Sequence, residues 1–215
     1  MDTHDRDIMV IDRATMFANG YFQGFSPASN IDYYGIICDH YFYEKRHIVE
    51  SKPELKQPIA YCVIVNAETG KVFAYQRSSK ESHYRESRLR GKWSWGIGGH
   101  IDKIDSEGED PIVASLLREI GEEVSIPEFE PPRIVGYIND DETEVGQVHF
   151  GLLFLVKTRS SNVKPKGKEI AWGGFLSIEE LEEIYSSNEV SVESWSGISL
   201  EPVRKEIEAL MCREA

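Results

Sequence analysis

The sequence has few cysteines, no long apolar run and no start that looks like a leader. Its three cysteines, Cys38, Cys62 and Cys212, are odd in number, far apart and without the spacing of metal-ligand motifs, so we expect reduced thiols. No stretch reaches the roughly 18 apolar residues that cross a membrane. Residues 1–12 lack the basic start and apolar run of a signal peptide. These absences predict a cytoplasmic protein without a membrane span.

Positive charge is also scarce. The chain has 24 Lys and Arg residues against 37 Asp and Glu residues, which gives a formal net charge of −13. Binding to a nucleic-acid polymer depends on clustered Lys and Arg, so this balance disfavours such a partner. A small anion held through a metal ion stays compatible with it. With 40% hydrophobic residues, a chain of 215 residues can bury the core of one domain plus an appendage.

The pattern of apolar residues divides the chain into an N-terminal extension, residues 1–57, and a main domain, residues 58–215. In the extension we predict a strand over Ile8–Ile11 and a helix over Ile36–Val49. Two prolines close to its end, the second of them Pro58, interrupt any regular element there. The main domain is therefore predicted to start with a new strand.

Strand patterns and helix patterns alternate in the main domain. The predicted strands are Ile59–Asn66, Lys71–Arg77, Arg133–Ile138 and Gln147–Lys157. The predicted helices follow Asp110, cover Ser177–Tyr185 and follow Ser199. Strands mixed with a few long helices indicate an α/β fold with helices on both faces of a sheet.

The helix after Asp110 places three carboxylates near its end. Asp110 is a typical capping residue, and Pro111 suits the first helical position. Glu119, Glu122 and Glu123 then occupy positions i, i+3 and i+4, so at about 100° per residue they project from one side of the helix. A divalent cation would relieve their mutual repulsion and their repulsion by the helix dipole. The alternative is an ordinary solvated acidic face.

Around this helix the sequence resembles the Nudix hydrolase family. The family signature is Gly, five residues, Glu, seven residues, then Arg-Glu-apolar-x-Glu-Glu-x-Gly-apolar, and residues 118–126 match its second half with Ser125 in place of the last glycine. The loop after Gly98-Gly99-His100 is enlarged. The candidates for the first signature glutamate are therefore Glu109, Asp110, Glu107 and Asp105. We favour Glu109, because Gly108-Glu109 is similar to the family's Gly-Glu pair.

The resemblance implies a Nudix α/β/α sandwich with a mixed sheet and a Mg²⁺ site, with Mn²⁺ as the alternative ion. The implied metal ligands are the carboxylates of Glu109, Glu119, Glu122 and Glu123 and a main-chain carbonyl near Gly99. The implied catalytic residues are Glu119, Arg118 and Glu169. Arg118 would orient a loop carboxylate such as Glu109, and Glu169 or Glu119 would act as the general base, with Glu142 and Glu144 as alternatives.

The expected reaction is attack by water at a phosphorus of a nucleoside diphosphate linked to some group X, a small-molecule substrate. Two alternatives stay open. One is an enzyme like isopentenyl diphosphate isomerase, which works through a cysteine and a glutamate, although no cysteine adjoins the glycine loop in the sequence. The other is a non-catalytic nucleotide-sensing module, although the carboxylate set is intact. A homodimer formed through the N-terminal extension is an alternative to a monomer.

Other side chains are assigned from their residue types. We predict that five strand aromatics belong to the core: Tyr75, Trp93, Trp95, Tyr137 and Phe150. His100 is either a structural hydrogen-bonding group or a contact for phosphate. A basic cluster is either a receptor for outer phosphates or an exposed loop: Arg85, Arg88, Arg90 and Lys92.

Overall fold

The computed structural model describes residues 6–78, 91–166 and 170–214. Its strands are β1 (Asp7–Asp12), β2 (Gly24–Pro27), β3 (Phe42–Lys45), β4 (Leu55–Asn66), β5 (Val72–Arg77), β6 (Trp93–Ser94), β7 (Ile97–His100), β8 (Val124–Ser125), β9 (Arg133–Asn139), β10 (His149–Thr158), β11 (Lys164–Pro165) and β12 (Ile170–Leu176). Its helices are α1 (Arg13–Met16), α2 (Tyr33–His40), α3 (Arg46–Val49), α4 (Pro111–Glu123), α5 (Glu144–Val148), α6 (Ile178–Ser186) and α7 (Ser194–Glu214), with a 3₁₀ helix over Lys103–Glu107. This alternation confirms the predicted α/β class.

The chain divides into two compact units. Unit 1 comprises Met1–Tyr61, Gly98–Glu119 and Ile134–Phe154, and unit 2 comprises Cys62–Ile97, Ile120–Arg133 and Leu155–Ala215. Three long elements, β4, β10 and α4, contribute residues to both units. The division of the chain at residue 57 into an extension and a main domain stays a prediction.

In unit 1 the N-terminal segment pairs with later strands. β1 pairs antiparallel with β3, beginning at Asp7↔Lys45, and its last residues pair antiparallel with β4 at Ile11↔Lys56. β2 pairs antiparallel with β9, which is followed in the sheet by β10. Hydrogen bonds of this kind satisfy backbone groups that burial would otherwise leave without partners. The first strand, which the sequence predicts at Ile8–Ile11, is confirmed.

A cluster of aromatic rings fills the interior of unit 1. Its members meet mostly edge to face, with ring centroids 5.1 to 6.4 Å apart. They are Phe17, Phe22, Tyr33, Tyr137 and Phe150. Edge-to-face pairs add about 0.5–1.5 kcal/mol each beyond the burial of apolar area. The segment that precedes β4 therefore shares a core with β9 and β10.

In unit 2 the strand order is β12, β5, β4, with β6 beside β5. The predicted strands Ile59–Asn66 and Lys71–Arg77 correspond to β4 and β5, which pair antiparallel at Val65↔Val72. The core residues of this unit include Val63, Phe73, Tyr75 and Trp95, which are almost completely buried. Helix α6, which the sequence predicts at Ser177–Tyr185, begins with a capping box. The Ser177 side chain accepts from the Glu180 backbone N–H, while the Glu180 side chain accepts from the Ser177 backbone N–H.

The predicted helix over Ile36–Val49 is wrong. Asp32 caps α2, where its carboxylate accepts from the Gly35 backbone at 2.9 Å, and α2 ends at His40. The next residues form β3, which is the partner of β1. The aromatic run from Tyr41 to Tyr43 favours a strand, and pairing with β1 outweighs whatever helical pattern the segment has.

Two further boundaries differ from the prediction. Pro58 lies inside β4 instead of ending an element, because the fixed φ of proline is compatible with extended backbone. The last helix begins at Ser194, before the predicted start, and contains Pro202. Its first turn is fixed by Ser196, whose buried hydroxyl accepts from the Trp95 backbone at 3.1 Å.

Candidate active site

Helix α4 begins as the sequence predicts. The Asp110 carboxylate accepts hydrogen bonds from the backbone N–H groups of Ile112 and Val113 at 2.9 and 3.1 Å, which satisfies donors that have no partner within the helix. The apolar residues Ile112, Leu116 and Ile120 are buried and anchor one face. This anchoring fixes the direction of the carboxylates that follow in the last turns of the helix.

Arg118 connects the acidic helix to the loop that follows β7. Its guanidinium makes a two-point contact with Asp105, Nε to Oδ1 at 2.9 Å and Nη2 to Oδ2 at 3.0 Å. Nη2 also donates to the carbonyl of His100 at 3.0 Å, and Nη1 donates to Glu119 Oε1 at 2.5 Å. The hydrogen bonds that Arg118 donates to Asp105, together with the charge of Glu119, raise the pKa of Arg118 above its ordinary value. We call Asp105, Arg118 and Glu119 the glycine-loop cluster.

Asp105 is held in place by the 3₁₀ helix. Its side chain is buried, and Oδ2 accepts from the backbone N–H of Asp102 at 2.8 Å in a capping box. The loop carboxylate that the structure places on Arg118 is therefore Asp105, whereas the sequence analysis favoured Glu109, which is exposed. The signal for Asp105 was present in the sequence, because it lies at the regular five-residue gap after Gly99. The role of Glu109 as a metal ligand stays a prediction.

Gly99 leaves room for the Glu119 carboxylate. A Cβ atom built on Gly99 would overlap the carboxylate oxygens of Glu119, so any other residue would displace the side chain. The preceding Gly98 lies equally close to the backbone of β4, where a Cβ would overlap the Ala60 carbonyl. Gly98 is thus required by its close approach to the backbone of a strand, whereas Gly99 leaves space that the Glu119 carboxylate uses.

The donor set fits a hard divalent cation. Glu119, Glu122 and Glu123 offer only carboxylate oxygens, which Mg²⁺ and Mn²⁺ prefer. Their spacing on α4 is the predicted i, i+3, i+4. In the described part of the chain, no group of three His, Cys, Asp or Glu side chains is already gathered into a metal-binding geometry. Rotation of side chains at the end of α4 would therefore have to accompany metal binding.

The structure describes two of the remaining candidates for the general base and does not describe the third. Glu142 and Glu144 are exposed in unit 1, Glu144 in the first turn of α5. Glu169 lies outside the described residues, as do Arg85, Arg88 and Arg90 of the basic cluster. The catalytic roles of Glu119, Arg118 and Glu169 stay predictions.

His100 contacts two polar side chains that the sequence analysis did not consider. Its Nε2 lies 2.9 Å from Gln57 Oε1 and 3.1 Å from His149 Nε2. Burial lowers the pKa of His100 well below its usual range, and burial also lowers the pKa of His149. No spacing in the sequence connects Gln57, His100 and His149, because three separate segments bring them together.

The aromatic predictions are confirmed for four residues. Tyr75, Trp95, Tyr137 and Phe150 are each no more than 1% exposed. Trp93 is half-buried, and its ring lies against that of Trp172, with centroids 5.2 Å apart.

The sequence argument against an isomerase needs correction. Cys62 is distant from the glycine loop in the sequence, yet it lies on β4, which pairs with β7, the strand that contains Gly98 and Gly99. Burial, with the nearby charge of Glu123, raises the pKa of this thiol well above its ordinary value. Cys62 is fully buried, so a substrate cannot reach it in this structure.

Comparison with known proteins agrees with this geometry. The model of the NUDIX domain matches residues 55–194. Protein YmaB of Bacillus subtilis (strain 168) is 37% identical over 159 residues, which cover 71% of this chain and 73% of YmaB. The crystal structure of Tm1382 superposes with a TM-score of 0.68 at 27% identity and covers 93% of this chain and 99% of that one. The NUDIX domain of Shewanella oneidensis NrtR, complexed with ADP ribose, has a TM-score of 0.51 at 13% identity, over 71% of this chain and 88% of that one, and shows the shared fold.

The chain therefore belongs to the Nudix family, and its fold is the predicted α/β/α sandwich with a mixed sheet. It is an enzyme of the pyrophosphohydrolase class. Among the described residues no helix is both long enough and apolar enough to span a membrane.

Proposed function

We propose that this protein hydrolyses a diphosphate linkage in a nucleoside diphosphate linked to a group X, with Mg²⁺ as its ion and Mn²⁺ as the alternative. The observation that carries the proposal is the position of Glu119. Its carboxylate lies over Gly99 and accepts a hydrogen bond from Arg118. The guanidinium of Arg118 is held in turn by its hydrogen bonds to Asp105. A side chain held this firmly at the start of an i, i+3, i+4 carboxylate set is preorganised for a ligand.

The residues of this chain would divide the work as follows. Glu119, Glu122, Glu123 and the predicted Glu109, with a main-chain carbonyl near Gly99, would hold the ion. The ion would neutralise the diphosphate oxygens and make water more acidic. Arg118 orients Glu119 and the 3₁₀ helix through its hydrogen bonds. Glu119 and Glu169 are the proposed proton acceptors for the attacking water.

The substrate is proposed to be a small molecule. Since the NrtR domain was crystallised with ADP ribose, this compound is the first nucleoside diphosphate derivative to test. The scarcity of Lys and Arg supports a small anion over a nucleic-acid polymer. A cytoplasmic location belongs to the same proposal, and a homodimer stays the alternative to a monomer.

The test is a substrate screen with the full-length protein. ADP ribose, dinucleoside polyphosphates, nucleoside triphosphates and isopentenyl diphosphate are incubated with Mg²⁺ in H₂¹⁸O, and the products are identified by mass. If water attacks at phosphorus, a nucleoside diphosphate linked to X gives two fragments that each carry a phosphate. One of these two phosphates then contains ¹⁸O. ¹⁸O on the X fragment, without ¹⁸O on phosphate, would contradict attack at phosphorus.

Two other outcomes of the screen would overturn the proposal that the protein is a hydrolase. Conversion of isopentenyl diphosphate to its allylic isomer that is lost in Cys62→Ala would support the isomerase. Saturable binding of ADP ribose with no turnover of any diphosphate would support the sensing module.

A further inference from the structure

A second group of ligand-type side chains lies beside the glycine loop in unit 1. The Nε2 atoms of His100 and His149 are 3.1 Å apart, and Gln57 Oε1 is 2.9 Å from the same His100 nitrogen. The ring centroids are 5.1 Å apart, well beyond the separation of the nitrogens, so the rings meet at their Nε2 edges and not face to face. Two ring nitrogens and one amide oxygen, from three segments of the chain, thus meet in one small space.

The hydrogen bonds around the group fix its protonation. His149 Nδ1 lies 2.6 Å from the carbonyl of Val145, which can only accept, so the proton of neutral His149 is on Nδ1 and its Nε2 is bare. Gln57 Nε2 donates to the Val49 carbonyl at 3.4 Å, which turns Gln57 Oε1 towards His100. A single N–H, that of His100 Nε2, is therefore left to serve two acceptors, Gln57 Oε1 and His149 Nε2.

A metal ion would use three lone pairs at once if the proton of His100 moved from Nε2 to Nδ1 of the same ring, which keeps the imidazole neutral. Imidazole nitrogens bind zinc at about 2.0–2.1 Å, and two nitrogens 3.1 Å apart then subtend roughly 100° at the metal, close to a tetrahedral angle. Imidazole ligands suit Zn²⁺, Co²⁺ and Ni²⁺ better than Mg²⁺. The bond from His149 Nδ1 to a backbone carbonyl is the usual support of a metal-binding histidine.

Charged side chains around the group act on a cation in opposite directions. Four basic side chains lower the pKa of one or both histidines and therefore oppose positive charge there. Each of the four lies in an ion pair with a carboxylate that reduces this repulsion. The pairs are Arg6–Asp102, Arg46–Glu50, Lys56–Asp141 and Arg118–Asp105.

We propose that His100, His149 and Gln57 form a binding site for a transition-metal ion of the zinc type, separate from the hard-cation carboxylates of α4. Water or an oxygen of a bound ligand completes the coordination. This site is independent of the reaction that the carboxylates perform.

The test measures binding of Zn²⁺ and Co²⁺ to the metal-free, full-length protein, without any assay of activity. Competition with a chromogenic chelator is expected to show one Zn²⁺ per chain, and Co²⁺ is expected to give a visible absorption band. His149→Ala is expected to abolish both signals, whereas Glu122→Gln and Glu123→Gln, which change the carboxylates of α4, keep them. No stoichiometric Zn²⁺ binding, or equal binding by His149→Ala, would overturn the proposal.

Gln57→Glu provides a test that does not depend on losing a side chain. The change is isosteric and puts a carboxylate, a stronger ligand, in place of the amide, so the affinity for Zn²⁺ should rise about tenfold or more. If the three groups form only a structural hydrogen-bond network, this variant gains no affinity, and that result also overturns the proposal. Histidine ¹⁵N chemical shifts of the wild type provide the direct readout, since Zn²⁺ should move both Nε2 resonances.

Discussion

Unit 1 contains two clusters of charged side chains built from similar parts but with opposite balance. In one, which we call the strand-4 cluster, Lys56 and Arg13 share the carboxylate of Asp141. In the glycine-loop cluster, one arginine lies between two carboxylates, Asp105 and Glu119. The first cluster has an excess of positive groups and the second an excess of negative groups, which continues along α4 in Glu122 and Glu123.

The strand-4 cluster is saturated with internal partners. Lys56 is fully buried, and its ammonium donates to Asp141 at 2.7 Å and to the carbonyls of Gly146 and His149 at 2.8 and 3.2 Å. Burial lowers the pKa of Lys56 to about 8. Although burial opposes ionisation of Asp141, hydrogen bonds from Arg13, Lys56 and Tyr21 hold its pKa well below its ordinary value. Such a cluster has a structural role.

In the glycine-loop cluster two carboxylates face one guanidinium, and Gly99 leaves the space that the Glu119 carboxylate uses. Similar residue types therefore serve different ends, a buried ammonium with internal hydrogen-bond partners in one cluster and a proposed ion site in the other. Four predictions test this difference.

The largest effect is expected for Glu123→Gln. If Glu123 is a metal ligand, losing its charge removes several kcal/mol of transition-state stabilisation, so kcat/KM for the substrate found in the screen should fall about 10²- to 10⁴-fold. Stability should stay equal or rise by a few tenths of a kcal/mol, because the like-charge pair with Glu119 is relieved. Glu107→Gln, an exposed glutamate of the 3₁₀ helix, is the matched control and should keep full activity. A loss explained wholly by unfolding would contradict the ligand role.

The next effect is on stability alone. Asp141→Asn leaves the ammonium of Lys56 buried without its carboxylate and should lower the free energy of unfolding by about 3–5 kcal/mol in urea denaturation. The activity per folded molecule should not change. Lys45→Gln is the control, since the half-exposed Lys45–Asp7 pair should be worth less than about 1 kcal/mol. If both variants lost the same free energy of unfolding, the buried cluster would stabilise the protein no more than the surface pair does, which would contradict the account.

A smaller effect separates the two candidates for the first signature carboxylate. Asp105→Asn weakens the two-point contact with Arg118, so Mn²⁺ affinity should fall about 10- to 100-fold, because a residue that orients a ligand is lost. Asp105→Glu should recover part of it. Glu109→Gln should be close to the wild type if Asp105 is the positioning residue. If Glu109→Gln lowered the Mn²⁺ affinity and Asp105→Asn did not, Glu109 would be the first signature carboxylate, as the sequence analysis predicts.

The smallest effect is a change in the stability contribution of Asp141 at low pH. Because the folded-state pKa of Asp141 is depressed, its contribution is fully present above its unfolded pKa of about 4 and is lost as the pH falls below it. The difference in unfolding free energy between wild type and Asp141→Asn should therefore shrink as the pH falls from 5 to 2. A difference that stays constant over this range would show that Asp141 does not act through its charge.

These examples show what the sequence could predict. Helix α4, its cap at Asp110 and the carboxylate spacing follow from local rules, and all of them are confirmed as structure. The partner of Arg118 does not follow, because Gly108-Glu109 is the better local match while Asp105 is the residue that the 3₁₀ helix buries against the guanidinium. Strand β3 and strand β12, with its Gly173-Gly174 pair, depend on partners distant in the sequence. The aromatic residues of β3 favour a strand, but no local pattern predicts the pairing of either strand.

The histidine pair shows the same limit. His100 follows two glycines that draw attention to it, but Gln57 and His149 are supplied by β4 and the start of β10. Only the pairing of strands brings these side chains together, and single-sequence patterns carry no information about that pairing.

The central claim is that the carboxylates of α4 are ligands of a divalent ion, and electron paramagnetic resonance of Mn²⁺ titrated into the full-length protein tests it most directly. The account predicts saturable loss of the free Mn²⁺ signal for the wild type, competition by Mg²⁺, and affinities at least about tenfold weaker for Glu119→Gln and Glu123→Gln. Wild-type protein that leaves the free Mn²⁺ signal unchanged, or variants that bind as tightly as the wild type, would contradict it.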